Sequence, residues 1–179
     1  GRFVKSWGAD MRGGAHGLTL RKEGSTEFLY HCDNVKGFVR KTTLDGEVIW
    51  ALHAPVMSGL YPKASEYKPS TLAVAPNGDF FVADGYGKFY IHHYDANTNY
   101  IRTFGGSREL MNRDPKVETA LGSTIWPHAV GIDTGDGGLA SAEPERGVKI
   151  LRHRPDVPPV FQLLEVPRRD GQRGDLLQH

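Results

Sequence analysis

The stretch that decides the fold is "PSTLAVAPNGDFFVADGYGKFYIHHYDANTNYIRTFGG", residues 69–106. Short apolar segments alternate in it with turn residues such as Asn77-Gly78, and no segment has the 3.6-residue period of a helix. Asn and Gly accept a positive φ at little cost, so they are favoured where two strands fold back on each other. The stretch therefore predicts four short antiparallel strands in one sheet.

The same pattern occurs in two other places along the chain. "AHGLTLRKEGSTEFLYHCD" (15–33) and "PHAVGIDTGDGGLASAE" (127–143) each read as a strand, a turn and a second strand that ends in an acid. "GFVRKTTLDGEVIWAL" (37–52) continues the first unit as 89–106 continues the second. A four-stranded unit that repeats in this way is typical of a propeller blade. A β-sandwich built from hairpins is the alternative.

The first strand of each unit has one large and one small face. Strand alternation places Leu18 with Leu20, Leu72 with Val74, and Val130 with Ile132 on one face. Gly, Thr and Ala residues occupy the other face. A sheet with apolar residues on both faces needs a neighbour on each side, as in a radial stack of blades.

The fold class predicted is thus all-β, a β-propeller of four-stranded antiparallel blades. We expect a partial propeller over 1–151, with blades at about 14–52, 66–106 and 123–165. Residues 1–8 are predicted to be the last strand of a preceding blade, and 152–179 a diverged tail rich in Arg and Pro. Within that tail, 160–166 is a candidate strand.

Three blades and one strand make an incomplete ring, since propellers have roughly four to eight blades. We expect either a longer protein or self-association that completes the ring. The long connections 53–68 and 107–126 are expected at one mouth of the propeller, and 108–112 is predicted to form a short helical turn.

The composition excludes few classes of function. The net charge of +1 gives no reason to expect nucleic acid or an anionic membrane as a partner. We expect a soluble protein, because no apolar stretch approaches the ~20 residues of a membrane helix and the first residues do not resemble a signal peptide. The compartment stays open. The single cysteine, Cys32, is interpreted as a small apolar filler in a strand.

Several sequence segments resemble those of the NHL-repeat β-propellers, and among these propellers most of all the peptidyl-α-hydroxyglycine α-amidating lyase type. Residues 69–106 are similar to that family's blade signature, which leads from a Pro-Ser/Thr strand into Val-x-Asp-Gly-Tyr. "AHGL" and "PHAV", at 15–18 and 127–130, resemble its Pro-His-Gly-Leu strand starts. The resemblance covers about residues 1–150.

The resemblance implies a six-bladed propeller with a metal in its central channel. Members of that type hold a zinc ion with three histidines and split a hydroxyglycine-extended peptide into an amide and glyoxylate. His16 and His128 match the metal-binding histidines, and Tyr86 matches a tyrosine that acts as a catalytic base. Zinc is the first candidate cofactor and calcium the second. The third histidine would come from a fifth blade or from a second chain.

One segment departs from the sequence pattern of that family. In the third blade the family has Ala-Asp-Arg-x-Asn-x-Arg, which supplies a substrate-binding arginine. Here the sequence reads "AEPERGVKIL" (142–151), with Pro144 at the place of the first Arg and Arg146 out of phase. Whether the chain is an enzyme therefore stays open.

Other candidate residues have structural interpretations. Asp33 and Asp84 recur at the same place in two units, which favours a role in capping turns. His92 and His93 are neighbours on a strand, so they point to opposite faces and cannot bind one ion together. His31 and His53 have no partner that the sequence identifies.

Three functions remain open at this stage. The first is a zinc-dependent lyase acting on a small or peptide-derived substrate, with Tyr86 moving a proton. The second is a non-catalytic propeller that binds a protein or a glycan, and the third is a truncated, inactive copy.

Overall fold

The computed structural model describes residues 1–107, 109, 117–118, 124, 127–132, 139–143, 147–152 and 162–165. For residue 118 and those from 139 onward it describes only the backbone. The described elements are thirteen β-strands and three short 3-10 turns, Ala9–Met11, Val56–Ser58 and Ala64–Glu66. The regular structure of the described residues is thus almost entirely β, as the sequence predicts. None of its described helical segments has the length and apolar character needed to cross a membrane.

The strands form three separate sheets, each in the order of the sequence. The first sheet contains β1 (Ala15–Glu23), β2 (Thr26–Asp33), β3 (Phe38–Thr43) and β4 (Val48–Leu52). The second contains β5 (Thr71–Val74), β6 (Phe80–Ala83), β7 (Tyr90–Tyr94), β8 (Tyr100–Gly105) and β9 (Val117–Glu118). The third contains β10 (Ala129–Ile132), β11 (Leu139–Glu143), β12 (Gly147–Arg152) and β13 (Gln162–Glu165).

Neighbouring strands pair antiparallel throughout, with one exception in the second sheet. There β9 pairs parallel with the outer strand β8, joining Thr103 to Val117. The sequence predicts only a connection in this region. An outer strand leaves a row of unpaired backbone groups, and a passing segment can satisfy them. The second sheet therefore has five strands where four were expected.

The turns follow the local chemistry of the sequence. Gly78 has φ +92° between β5 and β6, a backbone region that other residues enter only with strain. Asp33 and Asp84 act as caps: Asp33 Oδ1 accepts hydrogen bonds from the backbone N–H of Val35 and Lys36, and Asp84 Oδ2 accepts one from Lys88 N–H at 2.7 Å. The capping role predicted for both acids is confirmed.

The sheets pack face to face with their first strands adjacent, β1 against β5 and β5 against β10. Leu72 and Val74 of β5 lie in one core with Cys32 and Val39 of the first sheet. Val130 and Ile132 of β10 pack on a second core that contains Phe81, Ala83, Ile91 and Phe104. The predicted large faces of β5 and β10 are confirmed, and so is the buried position of Cys32.

The connection 53–68 is less of a surface loop than the sequence suggests. Its Tyr61 and Tyr67 are 8% and 1% exposed and belong to the core between the first two sheets. The two aromatic rings give this connection enough apolar area to pack against the core. Its Pro and Lys residues suggest an exposed loop instead.

Three other predictions concern the ends and the second connection. Residues 1–8 form no strand, although Trp7 packs edge-on against His31 and donates its indole N–H to Leu44 O. Glu109 is helical, and the rest of the expected turn at 108–112 lies outside the described residues. The tail lies outside them too, apart from Arg152 in β12 and from β13, which falls within the candidate strand 160–166.

Candidate functional site

Side chains from all three sheets meet where the first strands begin. His16 is the second residue of β1, Tyr86 follows β6, and His128 precedes β10. The His16 and His128 ring centroids are 6.2 Å apart, and the Tyr86 ring lies 5.0 Å from His16 and 5.1 Å from His128. The structure thus brings together the three site residues predicted from the sequence.

One hydrogen bond fixes the orientation and the tautomer of the His16 ring. Its Nδ1 lies 2.7 Å from the backbone oxygen of Ser70. A carbonyl oxygen can only accept, so Nδ1 carries the proton. The lone pair of a neutral ring is then on Nε2, which lies 3.1 Å from the Tyr86 hydroxyl and accepts a hydrogen bond from it.

Ser70 connects the second sheet to both neighbours and is completely buried. Its backbone oxygen accepts from His16, while its hydroxyl lies 2.9 Å from Pro127 O and donates to it. Pro127 immediately precedes His128, so this bond positions the start of the third sheet. In the repeat, Ser70 occupies the position that His16 and His128 occupy in the other two units, and that equivalence is the signal that could have identified it.

Two glycines allow the sheets to approach at this point. A Cβ on Gly17 would lie 2.5 Å from Ser70 O, and one on Gly85 would lie 2.6 Å from both Pro127 O and Ser70 Oγ. Any larger residue at either place would push neighbouring sheets apart. Gly85 therefore serves the Asp84–Lys88 turn and the site at once.

The Asp84 carboxylate fixes the turn that contains Tyr86 by accepting three hydrogen bonds. Asp84 Oδ1 accepts from Lys68 N–H at 2.6 Å, and Oδ2 accepts from Lys88 N–H and from the Tyr61 hydroxyl, both at 2.7 Å. Burial raises the Asp84 pKa to about 6 against the effect of these donors.

A buried chain of hydrogen bonds continues from Asp84 into the second sheet. The Tyr61 hydroxyl donates to Asp84, so the bond of 2.7 Å between Tyr61 and His92 Nε2 needs His92 as the donor. His92 Nδ1 then accepts from the Thr103 hydroxyl at 2.8 Å, and Thr103 accepts from Tyr100 at 2.7 Å. Burial lowers the His92 pKa to about 3, which keeps the ring neutral and suits this order of donors. Sequence analysis missed this chain.

The cluster of His16, Tyr86 and His128 is open to solution. His16 is exposed, Tyr86 is 42% exposed and His128 is half-buried. A groove of about 430 Å³ beside His16 is lined mainly by Trp7, Met11, Leu18 and Leu29. A solute could therefore reach the two imidazoles and the phenol.

The ring nitrogens are suited to hold part of a metal site. An imidazole whose Nδ1–H is held by a carbonyl presents Nε2 outward, the arrangement usual for metal-binding histidines. His16 and His128 would supply two ligands. Among the residues that the structure describes, no group of three or more His, Cys, Asp or Glu side chains could hold an ion, so any third ligand would have to come from elsewhere.

The remaining histidines of the described strands take structural roles. His93 stacks on Phe81 at 4.3 Å and pairs with Asp79 at 2.9 Å, on the face opposite to His92, as strand alternation predicts. His31 is buried and bonded to the Thr42 hydroxyl. His53 packs edge-on against Phe38. The departure from the family pattern at 144–146 lies outside the described residues.

The chain matches no protein-family model and no curated protein. Its fold is similar to several solved structures. They include virginiamycin B lyase from Staphylococcus aureus (14% identity, TM-score 0.51), the allergen Mala s 1 of Malassezia sympodialis (15%, 0.52) and a chain of a ctPRC2 complex (13%, 0.51). The similarity covers 86%, 83% and 80% of this chain, and 42%, 47% and 26% of the other chains. The chain thus spans less than half of the length of each.

At 13–15% identity these similarities show the fold alone. The neighbours are β-propellers, and the separate antiparallel sheets, stacked with their first strands adjacent, agree with that architecture. The sandwich alternative is thereby replaced: the chain has a β-propeller fold, and its described sheets are blades that do not close into a ring.

Proposed function

We propose that the cluster of His16, Tyr86 and His128 is the active site of a metal-dependent lyase acting on a hydroxyglycine-type substrate. The observation that carries the proposal is the convergence of these three side chains from three blades, with centroid distances of 5.0–6.2 Å. The Nδ1 anchor of His16 supports it, because it puts the lone pair of the ring on Nε2, the atom that would ligate an ion. The similarity to a propeller that is itself named a lyase agrees with the reaction class.

The proposed reaction is the cleavage of a carbinolamide. The substrate hydroxyl loses its proton, its oxygen forms a carbonyl, and the bond from that carbon to the amide nitrogen breaks. The nitrogen takes up a proton, so the products are an amide and glyoxylate. A zinc ion, or a calcium ion, held by His16 and His128 would supply Lewis-acid polarisation of the substrate oxygen.

Tyr86 is the residue that we propose moves the proton. Its hydroxyl lies 3.1 Å from His16 Nε2, the atom that would ligate an ion. When Nε2 is taken by a ligand bond, the Tyr86 hydroxyl loses this acceptor and becomes available to the substrate. The phenol can then donate its own proton to the leaving nitrogen while it takes up the proton of the substrate hydroxyl, so it ends the step unchanged.

Zinc titration with a competing chromophoric chelator tests the metal part of the proposal. We expect His16→Ala and His128→Ala each to weaken zinc binding at least about tenfold, since each removes one ligand. His53→Ala is the matched control, because His53 is exposed and its ring packs on Phe38, which is not part of the cluster. Equal affinities in all four proteins would eliminate the metal site.

A protein-binding propeller is the second candidate. Val56 and Met57, at the tip of the connection 53–68, are 70% and 83% exposed. Adjacent exposed apolar residues on a connection are common where a partner binds. If binding is the function, Val56→Asp and Met57→Asp abolish capture of a partner, while His16→Ala leaves it unchanged.

A further inference from the structure

The buried hydrogen-bond chain of the second blade is continuous over five side chains. It runs from Asp84 through Tyr61, His92 and Thr103 to Tyr100, and each pair of consecutive partners is 2.7–2.8 Å apart. Tyr61 is 8% exposed, and Asp84, His92 and Thr103 are completely buried. Tyr100 is half-buried, so it is the member of the chain that is most accessible from outside.

All four bonds of the chain have the same direction when Asp84 is ionised. A carboxylate only accepts, so Tyr61 donates to Asp84 and His92 Nε2–H donates to Tyr61. Thr103 then donates to His92 Nδ1, and Tyr100 donates to Thr103. Hydroxyl groups and a neutral imidazole can exchange the roles of donor and acceptor without the movement of a heavy atom. The chain therefore has a second arrangement, in which every bond has the opposite direction.

A single proton converts the first arrangement into the second. Tyr100 takes up a proton and passes its own to Thr103, and Thr103 passes its own to His92 Nδ1. His92 passes the Nε2 proton to Tyr61, and Tyr61 passes its own to Asp84 Oδ2. Asp84 ends as a neutral carboxyl group, and the other four members end with the number of protons that they had. The net change is one proton on Asp84 and a neutral His92 whose proton is on Nδ1 instead of Nε2.

We propose that this chain is a proton path, along which a proton travels between Tyr100 and Asp84 and reverses all four bonds. The continuity of the distances carries the proposal, because a proton passes between two groups only within hydrogen-bond reach. The identity of the inner members supports it, since a Lys, Arg or Trp side chain there could only donate. The path lets Asp84 change its charge inside a closed core, next to the turn that contains Tyr86. The proposal does not depend on the lyase activity.

The surroundings of Asp84 allow it to gain a proton while His92 stays neutral. Titratable groups lie around Asp84 on the elements packed against it: Lys88 in its own turn, Tyr61, Glu66 and Tyr67 on the connection, Lys68 before β5, and Tyr90 and His92 on β7. The Lys88 ammonium is bound by Glu66 at 2.8 Å and by Leu60 O at 3.0 Å. Burial raises the Asp84 pKa to about 6 and lowers the His92 pKa to about 3. Between about pH 4 and pH 8, Asp84 therefore titrates while His92 stays neutral, and a change at His92 reports the reversal.

NMR spectroscopy of the full chain with ¹⁵N-labelled histidine tests the reversal. The chemical shifts of the two ring nitrogens identify the tautomer of His92. We expect its proton on Nε2 near pH 8 and on Nδ1 near pH 4, with a midpoint at about pH 6. His93, the next residue of β7, is the internal control, because its ring lies on the opposite face and pairs with Asp79. A proton that stays on Nε2 at every pH, or a doubly protonated His92 ring in this range, would overturn the proposal.

Two variants at the Asp84 end show whether the tautomer of His92 follows the charge of Asp84. Asp84→Asn places an amide N–H where a protonated Asp84 would donate to Tyr61, so we expect the His92 proton on Nδ1 at every pH. Tyr61→Phe interrupts the path between Asp84 and His92, so the tautomer should no longer change with pH. A His92 tautomer that still changes near pH 6 in either variant would contradict the path.

Tyr100→Phe tests the other end of the path. We expect exchange between the two His92 tautomers at pH 6, measured from NMR line shapes, to slow at least about tenfold, because the path loses its outermost proton carrier. Tyr94→Phe is the matched control: its ring packs against Tyr100 at 5.9 Å, but its hydroxyl has no hydrogen-bond partner in the described structure. Equal exchange rates in the two variants would overturn the role of Tyr100 as the entrance.

Discussion

The backbone oxygen of Ser70 accepts a hydrogen bond from His16 at 2.7 Å, while the hydroxyl of the same residue donates to Pro127 O at 2.9 Å. One buried serine in the second blade therefore sets the position of a histidine on the first blade and of the residue before a histidine on the third. The distance between His16 and His128 is a property of the packed blades, and changes that separate the blades should alter the site.

Gly85→Ala should separate the second and third blades. The added Cβ would lie 2.6 Å from Pro127 O and Ser70 Oγ, so the blades must move apart, at a cost of about 1–3 kcal/mol in the free energy of unfolding. Urea denaturation measures this cost. The control is Gly131→Ala, because a Cβ there meets no atom within 4 Å among the described residues. Equal stability of the two variants would show that the close approach is absent.

Tyr86→Phe should abolish lyase activity and spare zinc binding. The substitution removes the proton that lies between Tyr86 and His16 Nε2 but leaves the ring in place. We expect glyoxylate release from a hydroxyglycine-extended peptide to fall by about 10²–10⁴-fold, the usual contribution of a general acid or base. The chelator titration should give a zinc affinity equal to that of the wild type or higher. Retained turnover would remove Tyr86 from the proposed chemistry.

Tyr61→Phe should destabilise the fold through its buried hydroxyl. The change leaves the N–H of His92 without an acceptor and takes one donor from Asp84, which costs about 1–3 kcal/mol. Tyr67→Phe is a matched control on the same connection, since the buried Tyr67 hydroxyl has no hydrogen-bond partner in the described structure. We expect thermal denaturation to show that Tyr67→Phe is neutral or stabilising. A similar loss in both variants would count against the ordered chain.

Asp84 should make stability fall as the pH rises. The pKa of Asp84 is about 6 in the folded protein and 3.8 in the unfolded chain. Between these two pH values the unfolded chain has released a proton that the folded protein keeps. The free energy of unfolding due to this group is therefore greatest below pH 3.8 and decreases up to about pH 6, by about 3 kcal/mol at most. Asp84→Asn should lose this decrease in urea denaturation at a series of pH values.

His92 should act in the opposite direction over much of the same range. Its pKa falls from 6.5 to about 3 on folding, so acid protonates the unfolded chain first and the free energy of unfolding drops as the pH falls below 6.5. In the wild type the two effects offset each other between pH 4 and 6. Asp84→Asn should then become more acid-labile than the wild type, and His92→Gln less so. Parallel pH profiles for the three proteins would refute both assignments.

Local sequence was enough to predict the blades. Strand alternation, Asn-Gly and Asp-containing turns and a repeated acid are short-range features, and the structure places strands over most of the predicted units. The resemblance at the two strand starts, 15–18 and 127–130, also led to the prediction that His16 and His128 would meet. Repeats that stack radially bring equivalent positions to one axis, so the position of a residue within its repeat indicates which residues it meets in the fold.

Contacts that join unlike parts of the repeat were decided by the tertiary structure alone. Tyr61 lies on a connection and His92 on a strand, and nothing local to either indicates that both bond within one buried chain to Asp84. The pairing of β9 with β8 and the double role of Ser70 are of the same kind. Such bonds form because packing removes water from polar groups, which then need hydrogen-bond partners among the residues that the fold brings near them. The residues next to them in the sequence do not indicate which partners these will be.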